Sequence, residues 1–289
     1  MNLIIFVLIY ICLFIHIVHT KKYKNMILFS IVTVCFNSEK TIKRTIDSVY
    51  AQSYSNYEYL IIDGASKDST IDIVKEYRKR FDGKLKMYSE PDKGIYDAFN
   101  KGIRKAVGKY IWLVNSDDYI QPNALELLAN FIKENNGVNY PVICGKMNYI
   151  DEATAKVLHV YSANFKSCKI CYDRDVMGLI HPATVVSKEV YDKYGVFDAN
   201  YKLLGDCDWF HNIYSMKVPI VFIDQVLTNM SNSGLTGQWS FKRFIIEFND
   251  RKIYFRRFYP NLIKRFFKFA IWHFVYLASI IKVVLKKHN

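Results

Sequence analysis

Glycine and proline are scarce, at 12 and 6 of 289 residues. That scarcity excludes collagen-like and low-complexity chains, and a hydrophobic content of 51% excludes a disordered one. Cysteine is thin and scattered, at Cys12, Cys35, Cys144, Cys168, Cys171 and Cys207. The single CxxC, Cys168 to Cys171, has no second pair of ligands at a zinc-site spacing. The cysteines therefore read as reduced thiols of a cytosolic domain. No G-x-G-x-x-G follows the first strand-like run, and no Walker glycine loop occurs, which removes the standard dinucleotide and P-loop fingerprints. Acids are in deficit too: 27 Asp and Glu against 40 Lys and Arg leave a net charge of +13.

The location of that positive excess narrows its meaning. Lys21, Lys22 and Lys24 follow an apolar run. Lys242, Arg243, Arg251, Lys252, Arg256, Arg257, Lys264, Arg265 and Lys268 interleave with aromatics near the C-terminus. Both clusters flank greasy segments, so a membrane surface is the simplest partner and nucleic acid is not expected. Residues 3–19, LIIFVLIYICLFIHIVH, carry no formal charge. At ~1.5 Å per residue these 17 residues come close to crossing a hydrocarbon core of ~30 Å. The run lacks a basic start and an Ala-x-Ala site, so it reads as an uncleaved anchor instead of a secretory signal; a buried core helix is the other reading. Lysines on its C-terminal side place the main domain in the cytoplasm, at the inner membrane. The apolar stretch 269–285 includes His273 and Lys282. It is expected to lie in the membrane interface, with a weak span as the alternative.

Between the ends, strand and helix patterns alternate. FSIVTVCFN (29–37), YEYLIIDGAS (57–66), KLKMYSEP (84–91) and KYIWLVNSDD (109–118) read as strands. Helices are expected over 38–52, capped by Ser38, over 67–81, over 95–107, and over 122–135 with Pro122 in the first turn. This β-α-β-α-β-α-β-α order predicts an α/β fold, a Rossmann-like, mostly parallel sheet with helices on both faces. Ligands of open α/β sheets bind beyond the carboxyl ends of the strands. Those ends carry Thr33 and Asn37, then Asp63, then Glu90 and Asp92, then Asp117 and Asp118. Acids there would repel a bare phosphate but suit one bridged by Mg²⁺ or Mn²⁺, or the hydroxyls of a ribose or sugar.

At this point the chain resembles the family-2 glycosyltransferases, the inverting GT-A class of bacterial surface-polysaccharide type. The resemblance rests on SIVTVCFNSEKTIKRTIDSVYAQSYSNYEYLIIDGASKDST, DKGIYDAFNKG and GKYIWLVNSDDYIQPNAL, which cover residues 29–130. It implies a GT-A fold and transfer of a sugar from a nucleotide-diphosphate sugar, a UDP-sugar favoured, to an acceptor hydroxyl. It also implies roles by position. Thr33 and Asn37 begin the nucleotide pocket, Asp63 bonds the base, and Asp92, Lys93 and Gly94 line the far side. Asn100 matches a family asparagine. Asp117 and Asp118 occupy the DXD position, with Asn115 where the first Asp would be, and one acid meets the ribose while the other meets the metal. The arginine often found before the helix asparagine is Phe99 here, so a lysine such as Lys93 would have to supply charge to the diphosphate.

The family's second half carries an acidic motif at a helix start. GDCDWFHN (205–212) aligns with it, placing Gly205 at the Glu position and Asp206 at the Asp position. Asp206 is the expected general base and Asp208 the competing one. The chemistry supports such a group independently, since an acceptor hydroxyl attacks well only as a carboxylate takes its proton. Both acids could instead simply cap a helix. His181, before Pro182, would contact the acceptor or the diphosphate, or else pack. Structural readings likewise stand beside Asn37 (a turn), Asp68 with Ser66 and Ser69 (a helix cap) and Tyr96 (core). The expected organisation is an anchor over 1–24, a nucleotide-sugar half over 25–140, an acceptor half over 141–240 and a membrane-associating segment over 241–289. The expected acceptor is a saccharide, lipid-linked and destined for surface polysaccharide. A sugar-phosphate nucleotidyltransferase would want glycines and Arg or Lys in its first loop, which VCFNSEKT lacks. A non-catalytic membrane protein of the same fold would not need the acids at 63, 117, 118 and 206.

Overall fold

The structure is a computed structural model that describes residues 27–135, 138–232 and 241–287. The expected anchor over 1–24 lies outside the described residues.

Four strands open the fold: β1 (Phe29–Cys35), β2 (Tyr57–Asp63), β3 (Leu85–Ser89) and β4 (Tyr110–Asn115). They pair in parallel in the order β3-β2-β1-β4. The crossovers are α1 (Ile42–Tyr50), α2 (Thr70–Arg78) and α3 (Ile95–Lys105), and α4 (Ala124–Glu134) follows β4. Burial on both faces explains why these strands read as continuous apolar runs. Alternate residues serve opposite layers. Phe29, Ile31, Tyr59, Ile61, Tyr110 and Trp112 pack with α1, α2 and α4. Val32, Val34, Leu60, Ile62, Ile111 and Leu113 pack with α3 on the other face.

The remaining strands are β5 (Tyr119–Ile120), β6 (Val142–Ile150), β7 (Val157–Tyr161), β8 (Thr184–Ser187) and β9 (Ile220–Ser231). β8 is antiparallel to β4 and β6, β6 is parallel to β9, and β5 and β7 pair antiparallel with β9 and β6. The sheet is therefore parallel through its first four strands and mixed beyond them, less parallel than the alternation suggested. Between these strands lie α5 (Phe165–Asp173), a short 3₁₀ turn at His181–Ala183, α6 (Lys188–Tyr194) and α7 (Gly205–Ser215). Two long helices finish the chain, α8 (Phe241–Phe258) and α9 (Leu262–Lys287). The middle of α8 is core: Tyr254, Phe255, Asp250 and Arg251 are buried.

Two helix starts differ from expectation. Ser38 does not cap α1, whose N-cap is Thr41; the Ser38 carbonyl instead accepts from Thr41 and Ile42 N–H. Pro122 lies in the turn ahead of α4, which begins after Asn123.

β1 has β2 on one side and β4 on the other. The chain therefore leaves β1 and β4 in opposite directions, which opens a crevice at their carboxyl ends.

Candidate active site

The loops at that edge are tied to one another. Asn37 follows β1 with φ of 51°; its N–H donates to Ser66 Oγ at 2.8 Å and its side-chain oxygen accepts from Lys67 N–H at 2.8 Å. Thr33 is fully buried and accepts from the Tyr59 hydroxyl at 3.1 Å. With its side chain buried and bonded within the fold, Thr33 is held as part of the framework in this structure. Asp63 is likewise fully buried. It accepts from Ser66 Oγ at 2.5 Å, Ser66 N–H at 3.1 Å and Ser89 Oγ at 2.6 Å. It thereby fixes the ends of β2 and β3 together, and its charge adds to burial in pushing the Cys35 thiol up. Asp68 lies just before Ser69, the N-cap of α2, and accepts from Thr70 N–H at 3.1 Å.

Asp92, Lys93 and Gly94 lead into α3. Asp92 accepts from Gly94 N–H at 2.9 Å, and its other oxygen sits 2.5 Å from where a Cβ on Gly64 would be. Gly94 has φ of 132°, a conformation other residues resist, and the Lys202 ammonium lies against it and donates to the Lys93 carbonyl. Asn100, matched to a family asparagine, is spent elsewhere. Its amide nitrogen donates to the Phe197 carbonyl at 2.7 Å and its oxygen accepts from Phe197 N–H at 3.0 Å. With both ends used on one backbone unit, it clamps α3 to the segment before α7 and offers nothing to a nucleotide.

The turn after β4 gathers the acids expected to hold a metal. Thr45 Oγ1 lies 2.6 Å from the Asp118 carbonyl and 2.9 Å from that of Ser116, and Arg44 donates to the Asp117 carbonyl at 3.0 Å. Ser116 Oγ meets Ser38 Oγ at 2.9 Å, joining this turn to the β1 loop. Asp118 is 1% exposed, and among the described residues its one side-chain bond is from the Asn115 amide at 3.0 Å. Burial, reinforced by the charge of Asp117, pushes its carboxyl well above the usual range, and burial raises Asp117 too. The Asn115 side-chain oxygen is buried without a partner. Two carboxylates short of positive charge, beside an orphaned oxygen acceptor, fit a hard divalent cation. Among the described residues no group of three His, Cys, Asp or Glu side chains could hold a metal. Further ligands would have to be substrate oxygens and water, the usual habit of Mg²⁺.

The second pair of acids opens α7, where the helix dipole favours negative charge. Asp206 is half-buried; its Oδ1 accepts from Cys207 N–H at 2.8 Å and lies 3.2 Å from the Tyr96 hydroxyl. Asp208 is 2% exposed and engaged on both oxygens, by Tyr201 at 2.9 Å and Arg257 at 2.5 Å. Burial outweighs the Arg257 charge and its carboxyl is pushed up to about 6. Asp208 is thus a buried ion-pair partner. His181 packs beside Phe99 and Phe197, with ring centroids 5.4 and 6.2 Å away. Burial lowers its imidazole, opposed by the charge of Asp206. Its buried Nε2 has no partner, and it borders a cavity of about 10 Å³ with Leu113, Tyr191 and Trp209.

The structure therefore links Asn37, Asp63, Asp92, Lys93, Gly94 and Asp206 along one edge, and joins the Asp117–Asp118 turn to it through Ser116. It sets Thr33 and Asn100 into the framework. Sequence reasoning missed Asp250. Its carboxylate accepts from three successive N–H groups ahead of α7: Lys202 at 3.0 Å, Leu203 at 2.6 Å and Leu204 at 2.9 Å. It also missed Arg257 and Asp175. The latter accepts from Tyr259 at 2.6 Å and Lys268 at 2.7 Å. One signal was present: Glu247 and Asp250 are the two acids of the basic segment 241–289.

Comparison with known proteins identifies the family and the fold. The model of glycosyl transferase family 2 matches residues 30–195, more than half of the chain, so the chain belongs to that family. It is 24% identical over 193 residues to the PGL/p-HBAD biosynthesis glycosyltransferase of Mycobacterium tuberculosis, covering 66% of this chain and 71% of that protein. It is 27% identical over 203 residues to a glycosyltransferase of Rickettsia typhi, covering 68% of this chain and 61% of that one. Among solved structures, S. aureus TarS 1–349 superposes with a TM-score of 0.61 at 20% identity, over 79% of this chain and 64% of that one. Mannosyltransferase PcManGT from Pyrobaculum calidifontis, in complex with GDP-Man and Mn²⁺, gives 0.56 at 14%, over 81% and 64%. The fold is GT-A.

Proposed function

We propose that this chain transfers a sugar, with inversion, from a nucleoside-diphosphate sugar to a hydroxyl of a lipid-linked saccharide at the cytoplasmic face of the inner membrane, for surface polysaccharide. One observation carries the reading. The acids of the donor edge and Asp206 of the acceptor half are connected through the segment Asp92 to Tyr96. Asp206 is the base. It takes the acceptor proton as the acceptor oxygen bonds the anomeric carbon and the bond to the diphosphate breaks on the opposite face. Asp208, held by Tyr201 and Arg257, stiffens the helix that presents Asp206. Asn115, Asp117 and Asp118 would hold Mg²⁺ or Mn²⁺, which supplies charge to stabilise the departing diphosphate. Lys93 and Lys202, beside Gly94 at the start of α3, would supply the charge that the missing arginine would bring to the diphosphate. Structural neighbours captured with UDP-GlcNAc, with UDP, and with GDP-Man and Mn²⁺ support the donor class, a UDP-sugar favoured.

The membrane part of the proposal rests on the last helix. Leu262, Ile263, Phe266, Phe267, Ile271 and Phe274 of α9 are 60–76% exposed. Ten Lys and Arg and no acid follow Asp250. No described helix is long and apolar enough to cross a membrane. An apolar face with basic flanks suits the interface of an anionic bilayer.

The test is a thermal-shift screen of UDP-, GDP- and dTDP-sugars with and without Mn²⁺ or Mg²⁺. A donor that binds only the folded chain raises Tm by mass action. A cation-dependent rise with one nucleotide class is expected, and no rise with any of them ends the donor assignment. Flotation with anionic against neutral vesicles tests the membrane part.

A further inference from the structure

We propose that Tyr96 is a positioning residue that ties the Asp206 carboxylate to the donor loop, and that position 205 is glycine because the Tyr96 ring fills the space a side chain there would need. The proposal rests on the reading of Asp206 as base.

Tyr96 stands in the first turn of α3, one residue past Asp92-Lys93-Gly94, and is 5% exposed. Its hydroxyl donates to the Leu203 carbonyl at 2.7 Å and lies 3.2 Å from Asp206 Oδ1. The single phenol proton is thus shared between the loop before α7, at the shorter distance, and the acid that opens it. Burial, with the charge of Asp206 beside it, pushes the phenol well up, so the hydroxyl stays a donor at any working pH.

The ring does the second part. A Cβ on Gly205 would sit 2.8 Å from three Tyr96 ring carbons, closer than real Cβ contacts come. The ring cannot easily yield, because Phe197 and Phe99 pack on it with centroids 5.6 and 6.4 Å away. The family's Glu-Asp pair becomes Gly-Asp here because a tyrosine from the donor half takes the room.

The arrangement treats the two carboxylate oxygens differently. Oδ1 is held by Cys207 N–H and faces the Tyr96 hydroxyl, while among the described residues no hydrogen bond reaches Oδ2. An anchored oxygen beside an uncommitted one is what a general base needs, since the second must meet the acceptor proton. The remaining titratable neighbours are His181, whose imidazole burial disfavours charging, and Asp208, already matched by Arg257. Lys202 donating to the Lys93 carbonyl gives the same two loops a second tie. A nucleotide-sugar settling against Asp92 to Gly94 would therefore set the base at the same time.

The test compares wild type, Tyr96→Phe, Tyr96→Ala, Gly205→Ala and the double variant Tyr96→Ala/Gly205→Ala. The probes are UDP with Mn²⁺ for binding and a panel of UDP- and GDP-sugars with Mn²⁺ for turnover, read as nucleotide release. Tyr96→Phe keeps the ring and loses the hydroxyl. Its kcat is expected to fall about tenfold while Kd for UDP stays within about twofold, the split expected of a group acting in the chemical step. Gly205→Ala should lower Tm, whereas in a Tyr96→Ala background, itself destabilised by the lost ring, the same methyl should cost no further Tm and leave kcat low. Tyr96→Phe with wild-type kcat overturns the hydroxyl's role, and Gly205→Ala with unchanged Tm overturns the packing argument. Each of those results leaves the glycosyltransferase reading intact. Wild type that neither binds UDP nor turns over any sugar overturns that reading and this proposal together.

Discussion

Two pairs of acids in this molecule look alike in sequence and differ in their surroundings. Asp117 and Asp118 end a turn; Asp206 and Asp208 open a helix. Each pair has one nearly inaccessible member, Asp118 at 1% and Asp208 at 2%. Asp208 is compensated from inside the fold by Arg257 and Tyr201. Asp118 receives one amide N–H and lies beside the unpartnered oxygen of Asn115. The nearest guanidinium, Arg44, is committed to the Asp117 carbonyl and to Glu152 at 2.9 Å. A buried carboxylate without a counter-charge is costly unless it is protonated or meets a cation. One pair is complete as folded; on the proposed reading the other is completed by a cation.

The largest effect that sharpens this contrast is on turnover. Asp206→Asn should lower kcat by about 10²–10⁴-fold, the usual worth of a positioned base, with Kd for UDP and Mn²⁺ unchanged; Asp208→Asn should cost far less kcat and more Tm. Next comes metal linkage. At about a hundredfold excess over its Kd, a cation should stabilise wild type by about 2.7 kcal/mol. Asp118→Asn should abolish that gain without lowering the metal-free Tm, and a fall in metal-free Tm would break the comparison. Arg257→Met should cost about 2 kcal/mol in denaturant unfolding, below the ~3–5 of a fully buried pair because Arg257 is 42% exposed. Adding Asp208→Asn should recover part of that loss.

The smallest effect is in pH. A carboxyl raised by folding binds its proton more tightly in the folded chain, so its contribution is present at low pH and is lost as pH rises. For Asp208 that window runs from 3.8 to about 6. The raised carboxyls of Asp117 and Asp118 must shed protons to take a cation, so Mn²⁺ should bind more tightly as pH rises. Calorimetry across pH 5 to 8 checks the sign.

The donor half was open to reading because its physics is local. Four apolar runs with helical stripes between them fix β1 to β4 and their crossovers, and the polar residues at the strand ends follow from the topology. Side-chain orientation was not legible. Thr33 and Asn100 sit in the right stretches, but burial and a backbone clamp withdraw them from a ligand. The acceptor half depends on partners distant in sequence. Asp250 reaches back to residues 202–204 and Arg257 to Asp208, and no period or spacing announces such contacts. The antiparallel insertion of β8 between β4 and β6 was hidden for the same reason, since a four-residue strand takes its direction from its neighbours.

Asp250 gives the closing helices a meaning that a greasy, cationic tail would not suggest. A chain ending at Ser231 would retain every acid of the nucleotide side and the whole parallel sheet, yet the three amides it fastens would lose their common acceptor and Asp208 its cation. The tail is a mould for the catalytic loop as well as a surface. If the tail binds lipid as proposed, exchanging it for an unrelated amphipathic helix should preserve residence at vesicles and leave sugar transfer crippled.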